Sequence, residues 1–328
     1  MKKYLPDNRR GYFCLFVQNH TEEVFSMRTA AIGIGSNSLR MLVADLSEGT
    51  LKRLKRYREG LRVFAALDAE GNIRPEMIEN ACSSVRAFRD EALKEGAQTV
   101  HLFATSAVRD AANQQAFAQA LYDSTQLTLE VCSGEEEAQL SFWGAAEGEG
   151  ETGLIDIGGG STEIAVGNGR RIEEATSLQM GAVRFSRLYP ITDVETAQEV
   201  IAKAREVVSE VKKRFATECA VEWTGVGGTF TTCAALVQRI PWQKREFIHG
   251  YVLTQEALMD TIAFLAPMPM EERLKLECLQ PQRADIVVHG IAILLACMLE
   301  LNISKIKVSE YGNLEGYLKR KYLFAQKV

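Results

Sequence analysis

The feature that most constrains this chain is a repeat inside it. Ile32-Gly33-Ile34-Gly35-Ser36-Asn37-Ser38 runs into the apolar stretch Leu39–Asp45, and Ile155-Asp156-Ile157-Gly158-Gly159-Gly160-Ser161 runs into Thr162–Val166. Each reads as strand, tight Gly/Ser turn, strand, and the two align without a gap. Such a turn lets backbone N–H groups converge on an anion with no side chain in the way. One turn of this kind is an ordinary hairpin; two in repeat predict phosphate-binding loops facing one another across a cleft. A third turn, Gly225-Val226-Gly227-Gly228-Thr229, follows the strand candidate Val221–Thr224 and opens a helical segment. There a helix N-terminus adds its dipole and free amides.

Around the repeat, strand character at Ala30–Ile34, Val100–Ala104, Leu127–Val131, Gly153–Ile157 and Lys305–Val308 alternates with helical spacing, which predicts an α/β protein. Met77, Ala81, Val85, Phe88 and Ala92 mark one helix, stopped by Gly96. Val194, Ala197, Ile201, Ala204, Val208, Val211 and Phe215 mark another, with Asp193 as its N-cap. That spacing resembles a heptad seam but reads as a helix packed on a sheet. Residues 1–27, which end immediately before the first strand, read as an extension outside the core. Gly148-Glu149-Gly150-Glu151-Thr152-Gly153 matches a dinucleotide fingerprint, yet it precedes a strand and carries two glutamates, so it reads as a linker.

Composition narrows the function classes. With 46% hydrophobic and 25% charged residues the chain has an extensive core to bury. Its net charge of −5, from 38 Lys and Arg against 43 Asp and Glu, excludes a broad nucleic-acid clamp and a basic membrane-surface protein. Seven scattered cysteines (Cys14, Cys82, Cys132, Cys219, Cys233, Cys278, Cys297) form no C-x-x-C pair, so a reducing cytoplasm is the expected compartment. No apolar run reaches the ~20 residues of a membrane span, and Tyr12–Val17 is too short for a signal core. The chain lacks G-x-x-x-x-G-K-[ST] and G-x-S-x-G, and His20, His101, His249 and His289 have no metal-ligand spacing.

Phosphoryl chemistry needs anion cradles, a divalent cation and a group that orients the nucleophile. Asp156 and Glu163 flank the triple-glycine turn, where carboxylates suit a bridging cation such as Mg2+; the alternatives are a turn cap and a solvated strand position. Glu135-Glu136-Glu137 opens a helix, either as complements to its dipole or with one of them as general base. Thr105-Ser106-Ala107-Val108-Arg109 follows a strand and offers hydroxyls and a guanidinium to phosphate, or a helix cap with an exposed arginine.

Together these motifs resemble the exopolyphosphatase/guanosine pentaphosphate phosphohydrolase family, within the actin, sugar-kinase and chaperone-ATPase superfold. The pieces, in order from about Ala30 onward, are Gly35–Ser38, Ala104–Arg109, Ser133–Ala138, Asp156–Glu163, Met180–Arg184, Gly227–Thr229, Arg283–Asp285 and Val308–Gly312. The resemblance implies two ribonuclease-H-like domains flanking a cleft. Domain I would be 28–134 plus 313–328, with domain II at 135–312. It implies hydrolysis of a terminal phosphoanhydride of polyphosphate or guanosine pentaphosphate, with no nucleic-acid or membrane partner and a homodimer as one assembly. Carried over by motif, Glu137 is the catalytic base, with Glu136 as the other candidate. Asp156 and Glu163 hold Mg2+. Ser36, Asn37, Ser38, Thr105, Ser106, Arg109, Gly158, Gly159, Gly160, Ser161, Gly227, Gly228 and Thr229 bind phosphate.

One position departs from the pattern. The family's first phosphate motif usually reads Ile-Asp-x-Gly-Ser-Asn-Ser, and here the aspartate position is Gly33, which the repeat aligns with Asp156. Losing a carboxylate beside the metal weakens its placement. This keeps open a weakly active or non-catalytic sensor of guanosine tetra- or pentaphosphate, in which Gly33→Asp would raise impaired activity. A kinase or ATPase of the same superfold is the remaining rival. Short polyphosphate or a nucleotide is the expected substrate over a long polymer.

Overall fold

The computed structural model describes residues 27–47, 49–146, 150–215 and 221–324. The expected extension over 1–27 therefore lies outside the described residues, apart from Met27, which opens the first strand. Gly148 and Glu149 of the expected linker are also outside them. The remainder of that segment corrects the linker reading, since Glu151–Gly153 already belong to a strand.

The first sheet contains β1 (Met27–Ile34), β2 (Leu39–Ser47), β3 (Thr50–Glu59), β4 (Thr99–Ala104) and β5 (Leu129–Val131), in the order β3-β2-β1-β4-β5. The second contains β6 (Glu151–Ile157), β7 (Thr162–Asn168), β8 (Arg171–Leu178), β9 (Glu222–Val226), β10 (Val252–Thr254) and β11 (Lys305–Val308), in the order β10-β11-β9-β6-β7-β8. The repeat thus extends to topology. In each sheet an antiparallel meander of three strands gains a parallel neighbour on its first strand, β4 on β1 and β9 on β6. The pairing register repeats as well: Gly33 lies opposite Arg40, and Asp156 opposite Glu163.

Helices α1 (Pro75–Lys94), α2 (Ser106–Arg109) and α3 (Gln114–Thr125) belong to the first lobe. Next come α4 (Gly134–Ala145), α5 (Ala182–Leu188), α6 (Val194–Ser209) and α7 (Gly227–Gln238). The last are α8 (Gln255–Leu265), α9 (Met270–Arg273), α10 (Val287–Glu300) and α11 (Asn313–Leu318). Alternation along each strand sends side chains to both faces. Ala30, Ile32 and Ile34 pack with Ala81 and Val85 of α1 and Phe117 and Leu121 of α3. Ala31, Leu42 and Phe103 pack on the other face with Leu140 of α4 and Leu314 and Tyr317 of α11. In the second sheet Ile155, Ile157 and Ile164 face α6, α7, α8 and α10, while Leu154 and Ala165 face Ala138 and Phe142 of α4. Asp193 caps α6 as expected, its carboxylate accepting from Thr196 N at 2.8 Å, but the helix ends at Ser209 and Phe215 lies beyond it.

α4 and α11 cross between the lobes at the distance of two bare backbones. A Cβ on Gly144 would collide with the Gly312 carbonyl oxygen, and one on Gly316 with the Leu140 carbonyl oxygen. The paired contacts, 144 with 312 and 316 with 140, make the two helices quasi-equivalent, as the sheets are.

Candidate active site

A cleft of about 600 Å3 separates the lobes. Of the sequence-predicted residues, Ser36, Asn37, Ser38, Thr105, Ser106, Glu137, Asp156, Gly158, Gly159, Gly227 and Gly228 line it. Gly160, Ser161, Glu163, Arg109 and Thr229 stand behind this lining. Glu136 turns away, its carboxylate accepting from Ser133 N at 2.8 Å in a capping box and pairing with Arg320 at 3.5 Å.

The two Gly/Ser turns are built alike. Gly35 N donates to Ser38 O and Gly158 N to Ser161 O, each at 3.0 Å. Carbonyls of both turns accept from the chain behind: Ser36 O from Phe64 N at 3.0 Å, and Gly159 O from Val183 N at 2.9 Å. The turns also pack on one another. A Cβ at Gly159 would meet Ser36 Cβ at 2.9 Å, and one at Gly160 would meet Ser106 Oγ at 2.8 Å, so glycine is required by the close approach. Ser36 and Ser106 share a hydroxyl hydrogen bond of 2.7 Å. At the third turn Gly227 has φ +89°, and a Cβ there would meet Asp156 Oδ1 at 2.6 Å. Thr229 gives its hydroxyl to Ile157 O at 3.2 Å, and Thr231 takes the place on the cleft wall.

Three carboxyl groups are buried here, Glu137 and Asp156 on the floor of the cleft and Glu163 behind them. Burial pushes Glu137 above the usual carboxylate range, while Arg109, whose Nη1 donates to Glu137 Oε2 at 2.9 Å, pulls the other way. Asp156 is raised by burial, against Arg40 and a 2.7 Å bond from Ser141 Oγ to Asp156 Oδ2. Glu163 is raised furthest, by burial and by the charges of Glu137 and Asp156. Its Oε1 accepts from Ser177 Oγ at 2.7 Å, whereas Oε2 is buried without a hydrogen-bond partner. An orphaned oxygen among crowded carboxylates suits a cation. Among the described residues no three His, Cys, Asp or Glu side chains enclose a metal by themselves. Mg2+ does not require that, because it takes one or two carboxylates and completes its shell with water and phosphate oxygens.

Sequence reasoning missed the opposite wall. Arg40, Arg53, Arg56, Arg58, Arg245 and Arg283 line the cleft. Arg283 lies on Gly228, and a Cβ there would fall within its guanidinium. Its pKa is driven well down by burial and by Arg58 and Arg40, and its Nε has no partner. Arg40 Nη2 donates to Asn313 Oδ1 at 3.2 Å, with Nε buried and unpartnered. Arg53 pairs with Glu315 at 3.4 Å and Arg245 with Glu310, whereas Arg40 and Arg283 keep a buried Nε without a partner, and such unpaired donors on cations attract an anion. The available signal was β3 itself, Lys52-Arg53-Leu54-Lys55-Arg56-Tyr57-Arg58, whose basic character hid its strand nature.

Gly33 has its own neighbours. A Cβ there would meet Phe103 Cζ at 2.8 Å and Leu314 Cδ2 at 3.4 Å. The Phe103 ring is fully buried and stacked on Tyr317, with centroids 4.5 Å apart. An aspartate at this position has no room until that stack moves.

Residues 42–324 match the model of the Ppx/GppA phosphatase family. The chain belongs to the Ppx/GppA phosphatase family. It is 32% identical over 309 residues to Exopolyphosphatase 2 of Mycobacterium tuberculosis (strain ATCC 25618 / H37Rv), covering 88% of this chain and 97% of that protein. The crystal structure of the Aquifex aeolicus Ppx/GppA family member superposes with TM-score 0.79 at 26% identity, covering 93% of this chain and 100% of that one. The structure of an exopolyphosphatase from Cytophaga hutchinsonii gives TM-score 0.82 at 25% identity, covering 92% and 99%. As a Ppx/GppA protein the chain is a phosphoanhydride hydrolase with the two-lobed, actin-like α/β fold expected from its motifs. No helix among the described residues is long and apolar enough to cross a membrane.

Proposed function

We propose that this enzyme releases terminal orthophosphate from inorganic polyphosphate or guanosine pentaphosphate. The observation that carries the reading is the opposition, in one cleft, of buried Glu137 and Asp156 to two Gly/Ser turns and a group of arginines of which Arg40 and Arg283 keep a buried Nε without a partner. The arginines and turn amides hold the phosphate chain. Glu137 orients a water in line with the terminal phosphorus and accepts its proton as the new O–P bond forms and the bridging P–O bond breaks. Arg109 holds the Glu137 carboxylate in place. Asp156 would hold Mg2+, with Glu163 behind it. Bound there, the ion neutralises charge on the phosphate oxygens.

The test is phosphate release from medium-chain polyphosphate and from guanosine pentaphosphate, assayed in parallel with Mg2+ and with chelator. Metal-dependent release from either substrate supports the reading; binding of both without release from either overturns it. That second result would select the nucleotide sensor, which the filled space at Gly33 favours. Adenine-nucleotide turnover dependent on an acceptor would select the kinase.

A further inference from the structure

We propose that Ser141 is a positioning residue for Asp156, through which α4 sets the cation site as well as the base. This rests on the hydrolase reading above and concerns how that site is held. Ser141 stands one turn after Glu137, so both side chains leave the same face of α4. Ser141 is fully buried, and its hydroxyl donates to Asp156 Oδ2 at 2.7 Å. That bond holds the carboxylate with Oδ1 turned toward Gly227, where a Cβ would meet it at 2.6 Å.

The other lobe repeats the device. The crossing of α4 and α11 at Gly144 and Gly316 makes Ser141 the counterpart of Asn313, and the sheet repeat makes Asp156 and Glu163 the counterparts of Gly33 and Arg40. Asn313 accepts from Arg40 as Ser141 donates to Asp156. Each crossing helix therefore pins one charged side chain of the strand pair beneath it. In this chain the pinned group is an anion in one lobe and a cation in the other. The crossing leaves no slack for α4 to slide, so the hydroxyl and the base move together.

The experiment is Mn2+ binding to the full chain without substrate, read by electron paramagnetic resonance, alongside Mg2+ titration of phosphate release. Ser141→Ala is expected to weaken Mn2+ binding about 10–100-fold, as loss of a group orienting a metal ligand does elsewhere. The Mg2+ needed for half-maximal release should rise in parallel, while KM for polyphosphate at saturating metal stays unchanged. Ser141→Thr, which keeps the hydroxyl, is expected to bind near the wild-type level. Where the added methyl lowers Tm, Ser141→Cys, a weak donor of similar size, should fall between serine and alanine. Equal Mn2+ affinity in wild type and Ser141→Ala overturns the positioning role alone and leaves the hydrolase reading standing. Absence of Mn2+ binding in the wild type overturns the cation site and this role with it.

Discussion

Glu137, Asp156 and Glu163 all prefer their protons more than they would in the unfolded chain, because burial disfavours their charged forms, with repulsion from neighbouring carboxylates adding to it at Glu137 and Glu163. Folded values above unfolded ones mean that the stabilising contribution is complete below the unfolded range and is lost as pH rises through the folded values. The metal-free protein is therefore expected to lose Tm as pH rises from the unfolded carboxylate value of about 4 towards neutrality. Mg2+ should restore it most at the upper end, and Glu163→Gln should flatten the slope. Thermal melts with chelator and with Mg2+ check this; a metal-free Tm that rises steadily over the same interval contradicts it. Gly33 carries a second expectation. With Phe103 and Leu314 against it, Gly33→Asp buries a carboxylate in filled space and should destabilise by about 1–3 kcal/mol without raising phosphate release. Denaturant titration and the phosphate assay measure the two effects.

At the scale of elements, the crossing of α4 and α11 controls where Glu137 sits. Gly316→Ala drives a methyl into the Leu140 carbonyl, so the helices must separate. The expected cost is about 1–3 kcal/mol of stability, together with a fall in kcat larger than any change in KM, seen by denaturant titration and steady-state kinetics. The turns and the strands flanking them were legible because their glycines and apolar alternation are local. Ser36, Asn37, Ser38, Gly158 and Gly159 reach the cleft directly from that pattern. Helix phase was not local. Glu136 and Glu137 are neighbours in an acidic run; Glu136 turns back into the Ser133 capping box, and it is Arg109, from a distant helix, that meets Glu137 on the inward face. Ser141 is one polar residue on a buried helix, and its partner Asp156 lies on the next strand, with nothing in their spacing to join them. β3 escaped notice because an edge strand facing a charged cleft has no apolar alternation.

Across the whole molecule the net charge of −5 and the basic cleft are compatible because charge is sorted by place. The second lobe supplies the carboxylates of β6, β7 and α4, and the first supplies arginines from β2 and β3, with Arg283 and Arg245 closing the ring. The lobes are tied across the cleft by Arg184–Asp110 at 2.7 Å, by Arg62–Asp285 and by Arg58 Nη1 on Gln280 Oε1 at 2.8 Å. Arg283→Ala removes a cation with no carboxylate partner. It is expected to raise KM for the phosphate substrate at least tenfold, since tenfold is about 1.4 kcal/mol and a hydrogen bond to a charged group contributes about 1.5–3 kcal/mol, with a smaller change in kcat. The most direct measurement is phosphate release from medium-chain polyphosphate at saturating Mg2+ by wild type and Glu137→Gln. A loss of about 10²–10⁴ in kcat, with substrate binding retained, is the expected result. Equal rates in the two proteins would remove Glu137 as the base.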